Sequence, residues 1–422
     1  MANDHTKAKV PIQSSFYYGW VIVAVAALSV FFSGPGQTYS ISIFKEYYIE
    51  DFGYSNSFVS GLYSVATLLA GSLLFVVGRL TDKFGQRTMM TAIGILLAVT
   101  CFWNSFIFGP VMMFIGFFML RIFGQGSMTL LPNTLVPQWF MAKRGKALSL
   151  MAIGTFVSSA LFPPLNTFLN NTIGWRYTWV FWGVLLLVIF VPIAFVFVRN
   201  KPEDVGLEMD GKKTNYPVRT HLHVDVSEVS WTVKEAMRTR AFWFILFCVS
   251  VPALVNTGVT FHIVSIAEGK GLTAGHASMI LSLMAIIGFP LSFVSGYLVD
   301  RYQVKYVLAI TFLGHIISIL MLWQVSSVVG AVIYGVLWGI VNGLERIVLN
   351  IVWPNYFGRE HLGSIKGIAQ SVMVLGSALG PLPFGLFYDW YHGYDEILLI
   401  IILFPLTAGI LSLLASKPVY KK

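Results

Sequence analysis

Apolar runs of twenty residues or more recur twelve times along the chain, at 17–43, 57–78, 88–108, 110–135, 146–169, 177–198, 241–266, 275–299, 306–325, 328–352, 364–388 and 396–415. A run of that length crosses the ~30 Å hydrocarbon core of a bilayer as an α-helix rising ~1.5 Å per residue. The polar breaks between them are short, except for 199–240, which holds 15 of the chain's 47 charged residues and divides six runs from six. Within that stretch Thr232-x-x-Glu235 has the spacing of a capping box, so a short helix whose last turn carries Arg238 and Arg240 is expected on the inner face before span seven. Residues 1–16 are polar and contain no short apolar stretch with a cleavage site, so the first span is expected to serve as its own insertion signal.

Several runs carry Gly or Pro inside, as in Gly34-Pro35-Gly36, Pro163-Pro164 and Gly380-Pro381. Helices with these residues are poor in water but tolerated in a membrane bundle, where neighbours satisfy the freed backbone groups and small residues allow close approach. The two sets of six also match each other at a nearly constant offset. Gly78-Arg-Leu-Thr-Asp82-Lys83 corresponds to Gly296-Tyr-Leu-Val-Asp300-Arg301, Pro137-Gln-Trp139-Phe140 to Pro354-Asn-Tyr356-Phe357, and Gly126, Asn133 and Pro164 to Gly343, Asn350 and Pro381. The expected architecture is therefore an all-α integral membrane protein of twelve transmembrane helices in two pseudo-symmetric six-helix bundles. Its parts are an N-terminal half 1–198, a cytoplasmic linker 199–240 and a C-terminal half 241–422.

Charge changes the picture only through its placement. The net charge of +9 would suggest nucleic acid in a soluble protein, but 56% hydrophobic and 11% charged residues exclude an ordinary soluble domain. With the N-terminus inside, 23 of the 28 Lys and Arg fall in cytoplasmic segments, three (Lys45, Arg176 and Lys270) in external loops, and two (Arg121 and Arg346) within spans. That asymmetry places both termini in the cytoplasm and accounts for the net charge without nucleic acid. The two cysteines, Cys101 and Cys248, lie in apolar runs, so neither a disulfide framework nor a cysteine-based metal site is expected. There is no phosphate-binding loop and no Cys/His cluster, and Gly124-Gln-Gly126 lies in a helix, so no enzyme, metal or cofactor is indicated.

The parallel six-helix repeat is the arrangement of the major facilitator superfamily, and the segment Gly78-Arg79-Leu80-Thr81-Asp82-Lys83-Phe84-Gly85-Gln86-Arg87 closely resembles its signature loop between spans two and three. Here Gly78 would let helices approach, while Asp82 would cap a neighbouring helix and pair with a basic residue such as Arg87. With Asp300 and Arg301 in the repeat, these residues form the expected conformational gate. Trp139-Phe140-x-x-Lys143-Arg144-x-Lys146-Ala147 resembles the monocarboxylate transporter family at span five. Tyr18-Gly19-Trp20 and Lys201-Pro202-Glu203-Asp204-Val205-Gly206-Leu207 are similar to bacterial members of that family and to oxalate:formate antiporters. The resemblance implies a monomeric secondary transporter of the bacterial plasma membrane, with spans 1, 4, 7 and 10 lining a central cavity. It also implies a substrate-binding Arg in span eight, but 275–299 contains no Arg, Lys, Asp or Glu.

Ionisable residues at bilayer depth are costly and normally face a cavity or a partner. Arg121, Glu345 and Arg346 are the ones well inside spans, and all fall on spans four and ten. Arg121, Gln125, Thr129 and Asn133 recur at intervals of four, as do Asn342, Arg346 and Asn350, so each helix presents one polar stripe. Arg121 is the expected ligand for a substrate anion, because a guanidinium grips a carboxylate with two hydrogen bonds. It also matches a span-four Arg linked to proton coupling in relatives. Glu345 is the expected proton carrier, switched by Arg346, or else half of a structural pair with an Arg. His262, near Asn256 and Thr260, would bind substrate or carry a proton, His315 is expected outside the cavity, and Gln37 is favoured over Tyr39 on span one.

The expected activity is transport of a small organic anion, a monocarboxylate, together with a proton by alternating access. The substrate residues would be Arg121, Gln125, Asn133, His262, Asn342, Arg346 and Gln37. The uncharged span eight and the aromatic cavity helices favour a second reading, a proton-driven exporter of larger amphipathic compounds. A membrane sensor would need a signalling surface, for which only the 199–240 stretch and short tails are available.

Overall fold

The computed structural model describes residues 10–11, 16–140, 143–209, 231–358 and 362–418; the side chains of Asp82, Arg144, Asp300, Lys366 and residues 362–364 lie outside that description. Among the described residues every regular element is a helix. Twelve are long and apolar enough to cross a membrane: Gly19–Phe52, Asn56–Thr81, Gln86–Ser105, Pro110–Trp139, Lys146–Ile173, Trp175–Phe197, Arg240–Gly269, Ala274–Val299, Val304–Gln324, Val328–Phe357, Ile368–Tyr391 and Asp395–Leu414. Each coincides with one of the twelve apolar runs. Large apolar side chains such as Phe75, Val188, Ile286 and Ile310 remain exposed, as a lipid-facing surface requires.

The first span is longer than its apolar run and is broken. Helix Gly19–Phe32 gives way to a 3-10 turn, Gly34–Gly36, and the chain resumes as helix Thr38–Phe52 after an extended Gln37. Pro35 has no N–H to continue the ladder, and Gly36 packs so closely on span four that a Cβ would lie 2.2 Å from the Leu120 carbonyl oxygen and 2.7 Å from the Gly124 Cα. Opposite this break, span four is itself irregular, with a π-helical segment Leu120–Ser127 between α-helical flanks. By contrast Pro163 and Pro164 sit inside the continuous helix Arg144–Ile173.

The chain forms two compact units: residues 1–40, 69–162 and 168–224 make one, and residues 41–68, 163–167 and 225–422 the other. The second unit thus contains spans seven to twelve together with the end of span one and the start of span two. The linker helix is Val233–Met237, and Thr232 and Glu235 cap each other reciprocally as their spacing predicts. It ends before Arg238, however, and Arg240 already begins span seven, so those arginines are not its last turn. Trp231 ties its start to span ten by donating its backbone N–H to the Phe357 carbonyl.

Candidate functional site

In the first unit, the broken turn of span one and the π-segment of span four bring three of the sequence candidates together. Arg121 is buried, and its Nη1 donates to the Gly36 carbonyl at 3.4 Å and to Thr38 Oγ1 at 3.3 Å. Gly36 lies against the backbone of Gln125. Gln37 donates back to Ser33 Oγ at 2.9 Å. A π-bulge inserts a residue into the helical repeat and is often found where a helix has been adapted to a site. Asn133 is exposed two helical turns further along and donates to the Thr129 carbonyl of its own helix.

In the second unit, span ten presents its stripe to a cavity of about 290 Å³ lined by Val249, Asn342, Glu345, Arg346, Leu349, Asn350, Trp353, Ala369, Gln370 and Met373. Asn342 is held from span seven, accepting from Asn256 Nδ2 at 3.1 Å, while Asn256 in turn accepts from Trp338 Nε1. Arg346 is exposed. Behind Glu345 stands His315 of span nine, whose Nε2 meets Glu345 Oε2 at 2.5 Å with the histidine side chain 2% exposed. His315 is not among the residues that line the cavity and reaches it through Glu345, whose partner is thus a histidine, where an Arg was the expected alternative. An ionised carboxylate only accepts, so His315 Nε2 is the donor to it.

His262 belongs to neither group. It is fully buried near the end of span seven, and both ring nitrogens are engaged by protein. Nδ1 lies 2.9 Å from Lys45 Nζ and 3.0 Å from the Tyr394 hydroxyl; Nε2 lies 3.0 Å from the Pro381 carbonyl and 3.1 Å from Ser60 Oγ. This replaces the expectation of a histidine beside Asn256 and free to meet substrate. Lys45 is corrected too: it was expected in an external loop, but it lies within the helix Thr38–Phe52 with no exposed surface. Its ammonium also meets Asn56 Oδ1 and Glu46 Oε1, both at 2.9 Å. The Phe44-Lys45-Glu46 charges ended the apolar run at 43, although Tyr47, Tyr48 and Ile49 continue it.

The gate residues show a comparable mixture. The signature segment is helical through Phe84 and turns at Gly85, whose φ of +81° suits glycine and where a Cβ would meet Asn200 at 2.7 Å. Arg87 is fastened to the end of span six, its backbone N–H to Asn200 Oδ1 and its Nε to the Phe195 carbonyl. A Cβ added at Gly78 would meet nothing within 4 Å among the described residues, so close helix approach is not the service of that glycine here. Arg301 lies over the Tyr297 ring. The side chains of Asp82 and Asp300 lie outside the described residues. A carboxylate capping a neighbouring helix does occur elsewhere: Asp389, at the end of span eleven, accepts from the backbone N–H groups of Asn56 and Ser57 at the start of span two. Gly385 allows that approach, since a Cβ there would lie 2.8 Å from the Asn56 carbonyl oxygen.

Comparison with known proteins agrees with this architecture. The family model described as Major Facilitator Superfamily matches residues 26–381 and 258–421. The Escherichia coli MFS-type transporter YhjX is 25% identical over 58% of this chain, an alignment that spans 55% of that relative's length. Human monocarboxylate transporter 2 is 23% identical over 86% of this chain and 78% of its own. Among solved structures, a bacterial homologue of the human lysosomal transporter Spinster superposes with a TM-score of 0.73 at 14% identity, covering 95% of this chain and 97% of that one.

Proposed function

This chain belongs to the major facilitator superfamily and is a membrane transporter, and from that premise we propose that it moves a small organic anion, a monocarboxylate, together with a proton by alternating access. The observation that carries the proposal is the cavity of about 290 Å³ in which Arg346, Asn342, Asn350 and Gln370 surround a space backed by the Glu345–His315 pair. Its volume is at the lower end for small-molecule sites. A guanidinium fixes the carboxylate and the amides orient the rest, while the adjacent acid–histidine pair exchanges the proton. In the first unit taken by itself, Arg121 is assigned to the anion as a guanidinium ligand, with Gln125, Gln37 and Asn133 as the polar groups of the same unit. The resemblance to a protein named for monocarboxylates supports this choice of substrate class.

Export of larger amphipathic compounds remains the second reading, favoured by the apolar wall of Val249, Leu349, Trp353 and Met373. Exchange of labelled lactate or pyruvate in proteoliposomes separates them. Arg121→Ala and Arg346→Gln are each expected to weaken exchange by the worth of a charged hydrogen bond, about 1.5–3 kcal/mol or roughly ten- to hundredfold. Glu345→Gln is expected to retain exchange and lose accumulation driven by a proton gradient. If it accumulates substrate like the wild type, the proton role assigned to Glu345 is wrong.

A further inference from the structure

The Lys45 cluster is not used by the transport site described above, yet it gathers a buried lysine, a buried histidine and a carboxylate into one hydrogen-bonded network. It joins four spans within the second unit. Lys45 and Glu46 come from span one, Asn56 and Ser60 from span two, His262 and Ser265 from span seven, and Pro381 from span eleven, with Tyr394 just beyond it. Glu46 Oε1 accepts from both Lys45 and Ser265, and the Phe261 ring lies 5.6 Å from the ammonium. Burial, with the charge of Glu46 second, holds the Tyr394 phenol well above its ordinary range, so it stays protonated.

The partners fix the state of His262. A carbonyl only accepts, so Nε2 facing Pro381 must carry hydrogen. An ammonium only donates, so Nδ1 facing Lys45 must keep its lone pair. The ring is therefore the neutral Nε2–H tautomer, and a second proton would have to enter at the atom that accepts from Lys45. That proton would set two cations 2.9 Å apart, with Glu46 paired to the ammonium. Two further carboxylates act on Lys45: Glu268 at the end of span seven, itself influenced by Glu50, and Asp389, which also caps the start of span two; neither is a hydrogen-bond partner of His262.

We propose that His262 is a second proton-binding site of the transporter, available only when Lys45 leaves it, so that protonation and separation of the first two spans from spans seven and eleven are one event. By the distribution of basic residues, this end of the helices faces outside. External acid would then open that side and load a proton in the same step. The sign follows from linkage. The closed cluster admits only neutral His262, whereas a hydrated imidazole takes up a proton at pH ~6.5. Opening is therefore favoured below that value and the preference fades above it, by about tenfold between pH 5.5 and 7.5.

The test needs no substrate, so it stands or falls separately from the anion reading. In a Cys101→Ser, Cys248→Ser background, Ser64→Cys places a reporter one turn below Ser60, at a position that is 3% exposed. Its labelling by a membrane-impermeant thiol reagent in right-side-out vesicles is referred at each pH to Phe108→Cys, which is exposed throughout. That ratio removes the effect of pH on thiolate itself. The ratio is expected to rise about tenfold from pH 7.5 to 5.5. With His262→Gln, which can donate and accept but not titrate, the ratio is expected to stay low and flat. With Lys45→Met it is expected to be high already at pH 7.5. A reporter that labels equally at both pH values, or at neither, overturns the proposal, as does a pH step that survives His262→Gln.

Discussion

The two buried histidines of the second unit, His315 and His262, have similar exposure and opposite neighbours. His315 meets a carboxylate and hydrogen-bonds it; His262 meets an ammonium and a carbonyl and is held neutral. One residue type in two helices of one unit is thus prepared for different proton chemistry by its partners. The first pair borders a cavity and suits exchange with substrate. The second holds four chain segments together and suits a closure that a proton can break. A histidine in a membrane helix therefore states little until its partner is known.

The comparison breaks most readily at the crowded site. His262→Leu removes the group that the Pro381 carbonyl and Ser60 meet and one of the partners of the buried Lys45 ammonium, and is expected to destabilise by about 3–5 kcal/mol, seen as a marked fall in the melting temperature of the detergent-solubilised protein. A small loss would mean that the cluster is wet and weakly coupled. Next in size, a double-mutant cycle of His315→Gln and Glu345→Gln is expected to show a coupling of about 1–3 kcal/mol, while Lys45→Met paired with Glu345→Gln adds independently. Additivity in the first cycle would remove the His315–Glu345 pair.

Gly36→Ala is expected to cost about 1–3 kcal/mol through overpacking against span four, and to lower substrate exchange by displacing the carbonyl that Arg121 holds. Unchanged melting would show that the two spans are not in contact there. The smallest effect is expected from Thr232→Ala in the linker cap, about 1 kcal/mol by the usual worth of such a cap, with exchange intact at both histidine sites. Loss of transport in that variant would give the linker a part in the mechanism that the present account does not.

The fold was legible because membrane spans announce themselves by length and apolarity, and the repeat of Asp82-Lys83 as Asp300-Arg301 placed the two sets of six. The stripe on span ten was legible from its spacing of four, and the cavity does receive Asn342, Glu345, Arg346 and Asn350. Lys45 was not, since a charge pair ends any hydropathy window and only packing against Asn56, His262 and Phe261 shows that the helix continues around it. Gln370 joins the cavity, and Asp389 reaches span two, through contacts between helices distant in sequence, whereas Trp353 lies three residues beyond Asn350 on span ten itself. The π-segment beside Arg121 was equally invisible, because it shifts the register of a helix that composition alone reads as regular.

The most direct test of proton-coupled anion transport is the pH inside proteoliposomes, followed with a trapped dye while lactate or pyruvate is added outside at matched external pH and clamped membrane potential. Acidification that follows labelled uptake with one proton per anion, and that Glu345→Gln abolishes while exchange persists, is the expected result. Uptake without acidification beyond that of protein-free vesicles, or acidification unchanged in Glu345→Gln, would contradict it.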